Sequence, residues 1–200
     1  MIINDAYEEP SDEHEAGFPC PACNVITIRQ PFASFIALGF KHDEFRSQPR
    51  YYEGPVLIHA GKNWYTPEVR EIVTMHFRKY TRHHEEAIQA LFPVARPVAE
   101  AVVQDCKPWS EINGKQYYAL RLTQVRIITR PKPAFNGMQS ICFKTAHTRE
   151  LAVALSGARV LEGREKDAVY QEFELLALRS KLNTWLKSKG LGAFALTHSR

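Results

Sequence analysis

No run in this chain approaches the roughly 18 apolar residues that a membrane-spanning helix requires, so the sequence predicts no membrane partner. Nor does the N-terminus set a basic segment before an apolar one, the arrangement of a secretory signal, and cytoplasmic residence is the expectation. Low-complexity tracts are missing as well. The 200 residues, 44% of them hydrophobic, suffice for one globular domain with an appendage. Cysteine is scarce, and Cys20, Cys23, Cys106 and Cys142 do not make a disulfide framework in an intracellular chain. Cys20-Pro-Ala-Cys23 lacks the second pair that a zinc knuckle needs, and His14, His83 and His84 stand at no standard ligand spacing. The pair reads as part of a linker; no metal site is predicted and no motif names a cofactor.

Positive charge is absent from the first fifteen residues, which hold Asp5, Glu8, Glu9, Asp12, Glu13 and Glu15 and no Lys or Arg. Taking those six negative charges away from the net +4 leaves +10 on the remainder. A body this basic suits a polyanionic partner, although its cations are spread along the chain. Residues 1 to 23 read as a flexible acidic arm that shields the basic body when no partner is bound.

Beyond the arm, Val25 to Arg29 is a β-branched run and reads as a strand. It leads through Gln30-Pro31 into a short helix with Phe32, Phe35 and Ile36 at helical spacing and Gly39 at its left-handed cap. Ser47 to Pro55 reads as a loop, followed by a strand over Val56 to His59. Thr66-Pro67-Glu68 starts a helix with a stripe of Val69, Ile72, Val73, Phe77 and Tyr80. The polar face of this helix and its extension carries Arg70, Arg78, Lys79, Arg82, His83 and His84, ordinarily a solvated face. Pro93 and Pro97 close the helical stretch. Two long strands follow, Val98 to Gln104 and Tyr117 to Ile128, with a turn signal at Asn113-Gly114. From Thr148 onward the pattern is helical through Leu182, Trp185 and Leu186, ending at Gly190 and Gly192. These apolar stripes need burial against the strands or against a second copy of the chain, so a homo-oligomer is one expected partner.

The segment around which the chain is organised is Gly-Phe-Lys-His-Asp-Glu-Phe-Arg, residues 39 to 46, directly after the short helix. In an extended segment Glu44 and Arg46 share a face, whereas Lys41 is out of phase and must reach from the turn. Gly39, Lys41, Glu44 and Arg46 fill the pattern Gly-x-Lys-x-x-Glu-x-Arg, and in this the chain resembles the ASCH family, whose domains are similar to RNA-binding PUA barrels. Flanking segments match in order: Ile26 to Ser34, Gly54 to Lys62, Val98 to Cys106 and Arg130 to Gln139. The resemblance spans roughly residues 24 to 145. It implies an α+β fold, a small PUA-like β-barrel with inserted helices; the helical C-terminal extension over residues 146 to 200 lies outside the resemblance and is read from its apolar pattern.

The chemistry turns on Glu44. If Glu44 pairs with Lys41, the lysine stays charged and serves as a ligand to phosphate or carbonyl; if it pairs with Arg46, Lys41 is freed for chemistry. Relatives that hydrolyse the acetyl amide of N4-acetylcytidine use the signature lysine with a threonine three residues on and a later glutamate. Here the threonine position holds Glu44, and Glu100 is the candidate for the later acid. A metal-assisted ribonuclease would draw on Glu44, His42 and His59. The reading is a pocket for RNA or a modified nucleoside, with Lys41 and Arg46 as donors and Glu44 as acceptor. Arg29, Gln30 and His59 are further pocket candidates, and Phe32, Phe45, Tyr51, Tyr52 and Trp64 are possible base platforms. The alternative is a hydrolase of RNA or an acylated nucleoside, with Lys41 as nucleophile or base and Glu44 orienting it or activating water.

Overall fold

The structure is a computed structural model that describes residues 24–129, 159–161, 168, 171 and 173–196. The acidic arm, Cys20 and Cys23, the segment from Arg130 to Gln139 and the boundary expected near residue 145 lie outside the described residues.

Helix α1 (Phe32–Ala37) is buried from Ala33 through Ala37, and a helix apolar on all sides must be covered on all sides. Ala33, Ile36 and Ala37 pack on a sheet, where Ile26, Ile28, Val56, Ile58, Ala99, Ala101, Leu120 and Leu122 complete one core. Phe35 turns the other way, into a second core made largely by helices.

The sheet contains β1 (Asn24–Gln30), β2 (Asp43–Arg46), β3 (Gly54–Trp64), β4 (Arg96–Ile112), β5 (Lys115–Thr129) and β6 (Arg159–Leu161). Its order is β1-β3-β4-β5-β2, with β6 also paired to β5. β1 runs parallel to β3, which the intervening α1 and β2 allow, and all other pairs are antiparallel. The α+β class is therefore as expected. The sheet, however, is open rather than closed into a barrel: among the described residues no ladder joins the edges β1 and β2. A side chain crosses between them instead, Arg46 Nη2 donating to the Thr27 carbonyl at 2.9 Å.

Asn113 and Gly114 both take positive φ, 53° and 70°, as a two-residue turn between right-twisted strands requires. The strands on either side run longer than their apolar cores suggest, and β4 carries Pro97, Pro108 and three register shifts that bend it against β5.

The second core is built on α2 (Pro67–Phe77) and α3 (His84–Leu91). Thr66 caps α2 by accepting from Val69 N at 3.3 Å, and Val69, Val73 and Phe77 are fully buried. Helix α2 stops at Phe77, short of the continuous helix that the stripe to Tyr80 suggests. Lys79 N and Tyr80 N donate back only three residues, to His76 O and Phe77 O, so the last turn tightens and the chain leaves the axis. Arg78, Lys79 and Arg82 consequently sit on a link between two helices rather than on one helical face.

Helix α4 (Leu175–Ser188) and a short 3-10 turn (Gly192–Phe194) end the described chain. The α4 stripe of Leu175, Leu178, Leu182 and Leu186 is buried, and the first three of these join Phe35, Val73 and Phe77 in the second core of the same chain. Its apolar face is thus occupied without a second copy. A polar contact reinforces the docking: His76, wholly buried on α2, donates from Nε2 to Phe173 O at 2.7 Å, while Lys181 Nζ lies 3.3 Å from Nδ1. Among the described residues, no helix is long and apolar enough to cross a membrane.

Between α1 and β2 the chain turns through Gly39, at φ 81°. Gly39 N donates to Ile36 O at 2.9 Å and Phe40 N to Phe35 O at 2.8 Å, the paired bonds of a Schellman motif. The hydrophobic contact that accompanies such a cap is also present, Phe35 against Phe40 at 5.8 Å between ring centroids. An L side chain in this conformation is strained by about 1–2 kcal/mol, so Gly39→Ala is expected to lower the unfolding free energy by that amount in urea titration. An unchanged midpoint would show that the left-handed cap is dispensable.

Candidate functional site

Glu44 pairs with both of its neighbours rather than with one. Its Oε2 lies 3.1 Å from Lys41 Nζ and its Oε1 lies 3.2 Å from Arg46 Nε. Lys41 reaches back from the turn as its phase demands, and its ammonium also donates to the Asp43 carbonyl. Glu44 and Arg46 are held on β2 by pairing with β5, opposite Leu120 and Tyr118. The side chains of Lys41, Glu44 and Arg46 are 6%, 12% and 25% exposed, so the group is recessed but reachable. Ions this far from water lose hydration, and one carboxylate shared between two cations leaves one positive charge to be met by something else.

The three open onto a cleft of about 510 Å³, within the usual range of ligand sites. β1 contributes Thr27 and Arg29, and α1 contributes Phe32. β3 contributes Gly61, Lys62 and Asn63 at an irregularity: the register passes from Ile28↔Ala60 to Gln30↔Trp64, leaving Arg29 opposite three residues. Phe45 is the aromatic wall. Lys41 Nζ stands 4.8 Å from its ring centroid, and Trp109 packs on it at 4.3 Å. Phe194, from the 3-10 turn, meets Phe45, Trp109 and Tyr117 at 5.2 to 5.3 Å, and Leu186 and Leu191 complete that side.

Of the residues that the sequence points to, the structure gathers Lys41, Glu44, Arg46, Arg29, Phe32 and Phe45 around this cleft. It places Gln30 and His59 elsewhere. Gln30 is completely buried and holds the start of α1, its Nε2 donating to Ser34 Oγ and Pro93 O and its Oε1 accepting from Ser34 N. His59 is also completely buried, behind Thr27, with Nδ1 3.4 Å from Thr27 Oγ1. Tyr51 and Tyr52 border a separate hollow with Cys106, and Trp64 packs on Phe92. Glu100 is buried in β4 away from the cleft and accepts from Arg126 Nε at 2.9 Å; burial pushes its carboxyl up to about 7 although Arg126 pulls it down. Among the described residues no three of His, Cys, Asp or Glu come together as a metal site would require.

Sequence reading missed Lys62, Asn63, Tyr65, Tyr117, Leu186, Leu191 and Phe194 as cleft residues. A signal existed for the first two, since Gly61-Lys62-Asn63 is a turn-forming step inside an otherwise apolar strand. Phe194 is a lone aromatic beyond two helix-ending glycines, and no periodicity marks it. Compared with protein-family models and with curated proteins, the chain finds no match.

Burial lowers His59 from 6.5 to about 4, against a hydrogen bond with the Ala95 backbone that raises it. Between those values the unfolded chain binds a proton that the folded chain does not. The stability from this group is therefore complete above the unfolded value and is lost as pH falls toward the folded one. From pH 7 to pH 4 the unfolding free energy of wild type, measured against that of His59→Gln, is expected to fall by about 3 kcal/mol. The opposite slope contributed by Glu100 is common to both proteins and cancels. A constant difference would mean that His59 is not held neutral by the fold.

Proposed function

We propose that the cleft binds RNA or a modified nucleoside, and that the chain is an ASCH-like domain whose sheet is the counterpart of a PUA-like barrel. The observation that carries the reading is the company the signature keeps. Lys41, Glu44 and Arg46 line one cleft with Arg29 and Lys62, four cations to one carboxylate, beside the ring of Phe45. A cationic recess with an aromatic wall matches single-stranded nucleic acid, whose bases stack and whose phosphates need counter-charge.

Glu44 still has acceptor capacity, since each carboxylate oxygen offers more than the one site its ion pair uses. It is suited to accept from an exocyclic amine of a base while Arg46 and Lys41 donate to a neighbouring carbonyl. The ion-pair contact of Lys41 with Glu44, beside its bond to Asp43 O, favours a charged ammonium and so supports a binding role over that of a nucleophilic amine.

In fluorescence anisotropy with a labelled single-stranded RNA, Lys41→Ala is expected to weaken binding about tenfold and to reduce the slope of log K against log salt by about 1. The far-ultraviolet circular dichroism should stay unchanged. Full affinity in the variant would overturn the reading. Mass spectrometry of an RNA carrying one N4-acetylcytidine, incubated with wild type, should return it intact. Loss of the acetyl group or a broken backbone, abolished by Lys41→Ala, would establish a hydrolase in its place.

A further inference from the structure

The two ends of the cleft differ in how their charge is met. At the inner end, Lys41 and Arg46 share the carboxylate of Glu44. At the mouth, Arg29 and Lys62 are exposed, and among the described residues neither has a carboxylate in ion-pair contact. The backbone creates this pairing. Where β1 and β3 slip register, Arg29 stands alone opposite Gly61, Lys62 and Asn63, and Arg29, Lys62 and Asn63 all line the cleft. Neighbouring strands lie about 5 Å apart, so a guanidinium and an ammonium on long side chains reach one anion from two sides, with the Asn63 amide as a third donor.

Like charges placed together without a counter-ion repel each other, and a ligand anion relieves that repulsion. A guanidinium matches two phosphate oxygens at once, and an ammonium supplies a point charge to the third. A neutral nucleoside brings no negative charge to relieve that repulsion. Resting on the reading of the cleft as a nucleic-acid site, we propose that its mouth is a phosphate subsite formed by Arg29, Lys62 and Asn63. The cleft then takes a phosphorylated nucleotide, free or within an RNA strand, in preference to a nucleoside. The base lies inward against Phe45 within reach of Glu44, and the phosphate lies outward on the β1–β3 irregularity.

The test is calorimetric titration of wild type and the double variant Arg29→Gln with Lys62→Gln. The probes are the four ribonucleosides, their 5′-monophosphates, inorganic phosphate and a single-stranded RNA of ten nucleotides. Wild type is expected to bind at least one 5′-monophosphate about tenfold more tightly than its nucleoside, and the double variant to lose that preference and to weaken on RNA by a similar factor. Both residues are exposed, so the variant should melt as wild type does. A nucleoside bound as tightly as its monophosphate, a preference that survives in the variant, or binding of inorganic phosphate with no nucleotide preference overturns the subsite and leaves the cleft reading standing. RNA binding that is insensitive to the double substitution does the same. Failure of wild type to bind the RNA and every mononucleotide overturns both.

Discussion

One carboxylate shared between two cations is the constraint from which the site follows. Glu44 cannot hold Lys41 and Arg46 together unless Lys41 is brought back from the turn and Arg46 projects from the strand. The Gly39 cap does the first, because its left-handed turn reverses the chain within three residues of the lysine. Pairing of β2 with β5 does the second. The desolvation that such a cluster suffers is offset in part by charge-assisted bonds to the Asp43 and Thr27 carbonyls. The site is therefore inseparable from the fold around α1, which is why its residues are so little exposed for charged side chains.

Helix α4 and the turn after it belong to this arrangement. Helix α4 is anchored in the helical core by Leu175, Leu178 and Leu182, and by the buried His76 contact to Phe173. That anchoring sets where the following turn delivers Leu191 to the cleft and Phe194 against Phe45 and Tyr117. Deep packing on one side of the molecule thus shapes a cleft wall on another.

Local chemistry was the legible part of the sequence. Gly39 as a cap, Thr66 as a helix start and Asn113-Gly114 as a hairpin turn follow from single residues with strong backbone preferences, and each stands where it was expected. The signature residues converge for the same reason, being close in sequence. What resisted reading depends on register. Gln30 and Arg29 are adjacent, yet one is wholly buried and the other lines the cleft, because strand alternation sends them to opposite sides. His59 is a pocket candidate only while the strand is taken to end there; β3 continues to Trp64 and His59 is wholly buried. The pairing of Glu44 was open because both partners lie within reach, and only three-dimensional placement shows that it serves both.

The Arg46 bond to Thr27 has a meaning apart from any ligand. Among the described residues β1 lies at one end of the strand order, and a free carbonyl on such an edge is a place where a foreign strand can add. The Arg46 guanidinium already occupies that acceptor, and an arginine blocks further pairing in a way that a backbone amide from another strand would not. The side chain that helps form the recess also ties β2 to β1, so a change at this position that favours a different ligand would remove a link between the two ends of the sheet.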